Sequence, residues 1–133
     1  IVYDDYAHHP AEIRATLEGA RNFLKKKIFV VFQPHLYSRT KQFLGDFAEN
    51  LKKADEVAVL PIYAAREKED KTINSEMLVE AIRKKGGKAS YVDNFDEAKK
   101  LLNEKMTRGD VFITMGAGDV YKLSEIMINN QNV

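Results

Sequence analysis

The 133-residue chain contains no cysteine and no tryptophan, and only three prolines and three histidines. Without cysteine there is no disulfide, no thiolate nucleophile and no Cys-based zinc site. That usage fits a cytoplasmic protein. No apolar run approaches the roughly 18 residues that span a bilayer, and no signal peptide is visible. A membrane partner is therefore not expected. Charge of neither sign dominates: 21 Lys and Arg against 20 Asp and Glu leave a net +1. Such a balance supplies no strong nonspecific field for nucleic acid. No GxxxxGK[ST] loop occurs, so the chain cannot cradle a triphosphate in the P-loop manner. No HExxH or other firm metal spacing occurs either, and no metal ligand set is assigned.

What is present fits one ordinary domain over residues 1–133. Hydrophobic residues make up 44% and charged residues 31%, a globular rather than a disordered balance. The chain begins at Ile1, directly in the strand-like "IVYD", which suggests a piece of a longer polypeptide. Four further stretches are short and rich in β-branched or aromatic residues: 27–33, 56–62, 89–92 and 110–115. The near-continuous apolar runs at 27–33 and 110–115 suit central strands covered on both faces. Between the strands lie helical periods. They are Ile13, Leu17, Ala20, Leu24; then Phe43, Phe47, Ala48, Leu51; then Met77, Leu78, Ala81, Ile82; then Phe95, Ala98, Leu101, Leu102; then Leu123, Ile126, Met127. Ser75 reads as a helix start, and Gly86-Gly87 as its stop. Strand and helix alternate throughout. The expectation is an α/β, doubly wound, mostly parallel sheet of five to six strands with helices on both faces.

In such a sheet ligands bind outside the carboxyl ends of the strands. The unusual chemistry of this chain gathers there: "DDYAHH" (4–9), "QPHLYSR" (33–39), "YAARE" (63–67) and "MGAGD" (115–119). Arg39 can grip a carboxylate bidentately, with His35, Tyr37 and Ser38 as donors beside it. It can equally cap a carbonyl or pair with a surface acid. Asp4, Asp5, His8, His9 and His35 could ligate a metal or simply cap a turn. Gly116 and Gly118 could admit an anion or make a tight turn capped by Asp119. A response-receiver layout fails, because strand three ends in "PIYAA" where an aspartate is needed and strand five in "MGAGD" where a lysine is needed.

"DDYAHHPAEI", "FQPHLYSRT" and "TMGAGD", in this order and spacing, resemble the C-terminal domain of the Mur ligases. The first motif is similar to that of several Mur ligases and of folylpolyglutamate synthases. The second points to the branch that adds L-alanine to UDP-N-acetylmuramate in peptidoglycan synthesis, a cell-wall route tied to cell shape and division. The murein-peptide recycling ligases resemble the chain in "DDYAHHP" but are not expected to carry the second motif. The resemblance implies a Rossmann-like domain of a three-domain, ATP-dependent amide-forming ligase. An N-terminal domain would bind the UDP-sugar, and a central domain would carry the P-loop and Mg2+ site. The last domain would cover ATP and present the amino acid; alone it would be inactive. The implied reaction runs through an acyl phosphate attacked by the alanine amine.

Under the resemblance Asp5 is nucleotide-binding, on the ribose side. Tyr6, His8, His35 and Arg39 bind L-alanine. His8 and His35 are the catalytic candidates, either one able to take the amine proton. Many relatives carry arginine where this chain has Leu36, so the carboxylate grip rests on Arg39, or on Arg66 of the third loop. Arg66 and Glu67 are weaker rim candidates, and His9 is as readily structural as functional. The alternative readings are another Mur-type or polyglutamate ligase domain, and a free-standing module that binds an anion or small ligand at the same rim.

Overall fold

The strand-like stretches become the five strands of one sheet in the computed structural model, which describes residues 1–131. These are β1 (Val2–Asp5), β2 (Ile28–Phe32), β3 (Glu56–Val59), β4 (Ala89–Tyr91) and β5 (Val111–Met115). All neighbours pair in parallel, in the order β1-β5-β2-β3-β4. Both β2 and β5 are buried along their whole length, as their unbroken apolar sequence requires in a sheet covered on two faces. β3 stops at Val59, short of the 56–62 stretch. Pro61 lies just beyond it, and a residue without an N–H cannot extend a ladder.

The helices are α1 (Pro10–Phe23), α2 (Tyr37–Gln42), α3 (Leu44–Leu51), α4 (Ser75–Lys84), α5 (Phe95–Lys105) and α6 (Tyr121–Gln131). Alternate strand residues feed two cores. Ile28, Val30 and Phe32 of β2 face α1, α3 and α4 through Ile13, Leu17, Phe47, Leu51, Leu78 and Ile82. Phe29 and Val31 face α5 and α6 through Ala98, Leu102 and Leu123. The period-2 alternation of a strand thus becomes two separate hydrophobic layers. Chain order explains the division. From β1 to β4 the strands step across the sheet in one direction with helices on one face. The return to β5 runs the other way, and right-handed crossover puts α5 on the opposite face.

Local chemistry sets the helix ends. Pro10 starts α1, where a missing N–H costs nothing. The Glu12 carboxylate reaches back to the His9 N–H at 3.1 Å, closing half of a capping box. For α4 the cap is Asn74, whose side chain accepts the Met77 N–H at 2.9 Å. Ser75 is instead the first helical residue, and its hydroxyl donates to the Leu60 carbonyl at 2.5 Å. Gly86 ends that helix at φ +90°, and the Gly87 N–H returns to the Ile82 carbonyl at 3.0 Å.

Three expectations need correction. The stripe beginning at Phe43 belongs to a second, separate helix, because Phe43 (φ −112°, ψ 23°) leaves helical geometry and divides α2 from α3. Met77 and Ile126 are each 40% exposed. Val79, not Met77, completes the buried face of α4.

At the amino end of the sheet Asp55 ties three elements. One carboxylate oxygen accepts the Ile28 N–H and the Arg21 guanidinium, both at 2.7 Å. Burial alone would raise its pKa, but the Ile28 N–H and Arg21 outweigh it and hold the carboxyl below its ordinary value. A depressed carboxylate stabilises the fold above its unfolded pKa of about 3.9 and loses that contribution as pH falls through the folded value. Asp55→Ala should therefore destabilise the chain at pH 7, by about 1 kcal/mol for this partly exposed group. Urea denaturation should show the difference shrinking steadily below about pH 4.

Candidate functional site

β5 enters the sheet between β1 and β2, so the loops that follow these three strands lie side by side. The Gly116 N–H donates to the Asp5 carbonyl at 3.2 Å, and the Gln33 N–H donates to the Met115 carbonyl at 2.9 Å. The buried Gln33 side chain continues the seam. Its amide donates to Asp119 Oδ1 at 2.6 Å, and its carbonyl oxygen accepts the Val120 N–H at 3.2 Å. Gly118 is a requirement of this seam. A Cβ there would stand 2.5 Å from Gln33 Oε1 and 2.7 Å from the Tyr63 ring. Asp119 turns its carboxylate to Gln33, and its carbonyl accepts the Lys122 N–H at the start of α6. The backbone of "GAG" makes a tight turn here, with Gly116 at φ +153°.

Asp5 closes the first loop. One oxygen accepts the Ala7 N–H at 2.7 Å, the other the Thr16 hydroxyl at 2.9 Å. Each oxygen retains a second lone pair. Asp4, on the opposite face of β1, accepts from the Thr114 hydroxyl at 2.5 Å.

Beyond Asp5 the rings meet. Tyr6, 68% exposed, lies edge-on to His8 with centroids 5.0 Å apart, and His8 lies 5.8 Å from His35. His9 turns away and packs on Phe43 at 5.0 Å. It therefore belongs to the cap of α1 rather than to the cluster. Arg39 Nη1 stands 3.3 Å from His35 Nδ1, and among the described residues no acid pairs with this guanidinium.

These contacts decide two tautomers. A backbone carbonyl can only accept, so His8 Nδ1, 2.8 Å from the Tyr6 carbonyl, carries the proton. In the tautomer so selected, Nε2 is the nitrogen that carries the lone pair. A guanidinium can only donate, so His35 Nδ1 is the acceptor and Nε2 carries the proton. Burial, then the charge of Arg39 and the neighbouring His8, lower the His35 pKa against a smaller opposing pull from Glu67. His35 is thus held neutral as a donor, and His8 presents an acceptor.

The third loop completes the cluster, and its contribution is the part that sequence reading did not define. Tyr63 stacks on His35 at 5.8 Å and 15°. Its N–H donates to the Pro34 carbonyl at 2.8 Å, and its carbonyl accepts the Leu36 N–H at 2.9 Å. Glu67 accepts from the Ser38 N–H and hydroxyl. Ser38 is therefore not free to serve Arg39. Arg66 is exposed, and among the described residues nothing holds it. Beside the cluster, a cavity of about 540 Å3 is lined by Gln33, Tyr63, Asp93, Phe95, Asp119 and Ile126, though not by either cluster histidine or Arg39. Among the described residues no three His, Asp or Glu side chains converge as metal ligands.

The family model described as Mur ligase, glutamate ligase domain matches residues 1–118. The chain belongs to the Mur ligase family. Among curated relatives, the UDP-N-acetylmuramate–L-alanine ligase of Caldanaerobacter subterraneus subsp. tengcongensis is 49% identical over 124 residues, 93% of this chain and 27% of that protein. The same ligase of Lachnospira eligens is 49% identical over 127 residues, 96% of this chain and 28% of that protein. Among solved structures, the UDP-N-acetylmuramate–alanine ligase of Thermotoga maritima superposes with a TM-score of 0.77 at 30% identity, over 98% of this chain and 27% of that one. A murein peptide ligase from Psychrobacter arcticus shares the fold, with a TM-score of 0.73 at 20% identity over 96% of this chain and 26% of that one. The chain thus spans little more than a quarter of the curated Mur ligases it matches. No helix among the described residues is long and apolar enough to cross a membrane.

The seam gives a paired test. Gly118→Ala should lower stability by about 1–3 kcal/mol, because the methyl group collides with Gln33 and Tyr63. Gly19→Ala, in the middle of α1 with nothing within 4 Å of the new atom, should stabilise by up to about 1 kcal/mol. Denaturant unfolding of the two variants against the parent chain measures both.

Proposed function

We propose that this chain is the amino-acid-presenting, nucleotide-covering domain of a cytoplasmic, ATP-dependent ligase that joins L-alanine to UDP-N-acetylmuramate. The observation that carries the reading is the meeting of His8, His35 and Arg39 over the carboxyl ends of β1 and β2, on the motif that points to the alanine-adding branch. The roughly 49% identity to ligases of that name supports it. The partners on this reading are the N-terminal and central domains of the same polypeptide. The P-loop and Mg2+ would lie in the central domain, since this chain has no loop to hold a triphosphate.

ATP supplies the phosphoryl group that turns the muramyl carboxylate into an acyl phosphate. The work of this chain is then to bind, orient and deprotonate the amino acid. Arg39 holds the alanine carboxylate with a guanidinium that no protein acid claims, and the His35 Nε2–H donates beside it. Holding the carboxylate aims the amine, which removes orientational entropy from the attack. The His8 Nε2 lone pair takes the ammonium proton, so the nucleophile is the free amine. Tyr6 lies edge-on to His8 and fixes it through its carbonyl. Asp5 would present its remaining lone pairs to the nucleotide ribose. Of the two catalytic candidates, His8 is thus assigned the base and His35 the donor.

The longer parent protein should release phosphate from ATP only when UDP-N-acetylmuramate, Mg2+ and L-alanine are all supplied. Release with the murein tripeptide in place of L-alanine would move the chain to the recycling ligases. His8→Gln should lower kcat about a hundredfold with little change in the KM for alanine. Arg39→Ala should raise that KM about thirtyfold or more. Equal loss of kcat in His8→Gln and His35→Gln would overturn the division of roles.

The chain alone, offering one wall of the nucleotide site, should neither catalyse ligation nor bind ATP tightly. Titration calorimetry that finds micromolar affinity for ATP would contradict this.

A further inference from the structure

The short α2 carries Arg39 in its first turn, and the residue before that helix is strained. Leu36 sits at φ +72°, ψ 133°, a region that residues with a Cβ avoid. Such a conformation persists only where the surroundings over-determine it. A six-residue helix has no stability of its own to impose it. The constraint comes from the loop after β3. The Leu36 N–H donates to the Tyr63 carbonyl at 2.9 Å, and the Tyr63 N–H to the Pro34 carbonyl at 2.8 Å. Four residues beyond Tyr63, Glu67 takes hold of α2. Its Oε1 accepts the Ser38 N–H at 3.2 Å and its Oε2 the Ser38 hydroxyl at 2.5 Å. The Ser38 hydroxyl first, with burial opposing and the Ser38 and Tyr37 N–H groups assisting, holds the Glu67 carboxyl below its ordinary pKa. It is therefore an ionised acceptor at neutral pH.

His35 and Arg39 stand on either side of this turn. Their 3.3 Å contact exists only while the turn keeps its shape. We infer that Glu67 is a positioning residue for the amino-acid site: by gripping Ser38 across the rim it fixes the strained Leu36 turn and so aligns Arg39 with His35. The inference rests on the proposed role of Arg39 and His35 in binding the alanine carboxylate. Glu67 itself touches no substrate. Its loss acts on how well the carboxylate is held rather than on proton transfer at His8.

The test uses the full-length parent enzyme and steady-state kinetics with each substrate varied. Glu67→Ala should raise the KM for L-alanine about tenfold while kcat and the KM for ATP stay within about twofold. Glu67→Gln keeps one acceptor for the Ser38 N–H and should fall between the two, at about threefold. Ser38→Ala should raise the alanine KM alone, yet add nothing in the Glu67→Ala background, since both remove one latch. An unchanged alanine KM in both Glu67 variants, with Arg39→Ala still raising it, would overturn the latch and leave the site reading intact. An alanine KM indifferent to Arg39→Ala as well would sink the site reading itself. A fall in kcat with every KM unchanged, paralleled by a lower melting temperature, would reduce Glu67 to a stabilising residue and refute the inference. Should Glu67→Ala not fold, Glu67→Gln and Ser38→Ala decide the same question.

Discussion

The site depends on a single insertion, the pairing of β5 between β1 and β2. The last strand of the chain hydrogen-bonds to the first two on either side. Its turn then continues the pairing beyond the sheet, with Gly116 on Asp5 and Gln33 on Met115. Without that wedge, the loop carrying Tyr6 and His8 and the loop carrying His35 and Arg39 would have no common neighbour. With it, they are held a ring's width apart, with the two imidazoles 5.8 Å from centroid to centroid. The buried Gln33 amide serves as the bolt, because it donates to Asp119 of the third motif and accepts the N–H of the next residue, while its own backbone belongs to the second.

Around that bolt the polar chemistry is divided by hydrogen bonding rather than by distance. Two histidines of the same intrinsic basicity face each other, yet one is fixed on a carbonyl and the other on a guanidinium. A carbonyl needs a proton opposite it, and a guanidinium supplies one. The neighbours thereby assign opposite tautomers to the pair, and a base and a donor emerge from identical side chains. Arg39 keeps its charge uncommitted among the described residues, since Glu67, the acid from the third loop, is turned to Ser38 instead. Strain at Leu36 is the cost of this arrangement, and the third loop holds it in place.

Much of the fold was legible in the residues. Five strands, their parallel pairing and their two-sided burial followed from β-branched runs separated by helical periods. The helix stripes of Ile13, Leu17, Phe47, Leu51, Leu78 and Ile82 are the core. Boundaries were less legible. Periodicity cannot see the break at Phe43, because its ring stays packed against the same core while its backbone leaves helical geometry. It placed Met77 inside, where Val79 is buried instead, since the two flank the buried Leu78 at about 100° of arc on either side. Of the site, the first two motifs were visible by their residue types. Tyr63 and the true work of Glu67 were not, because an aromatic and an acid in a charged loop carry no local sign of the partner they meet.

By itself, then, the sequence determined everything that depends on near neighbours along the chain: which segments extend, which coil, which faces are apolar, and that the reactive side chains lie at strand ends. Tertiary structure alone decided what depends on distant ones. The order β1-β5-β2 brings Asp5 to Gly116 and Gln33 to Asp119, the latter pair separated by 86 positions. The strained turn at Leu36 and the grip of Glu67 on Ser38, 29 positions away, follow from the pairing of β2 with β3. The physical reason is common to all of them. Hydrophobic period and turn chemistry act over a few residues, whereas a hydrogen bond across a sheet's rim forms only after the strands beneath it have chosen their neighbours.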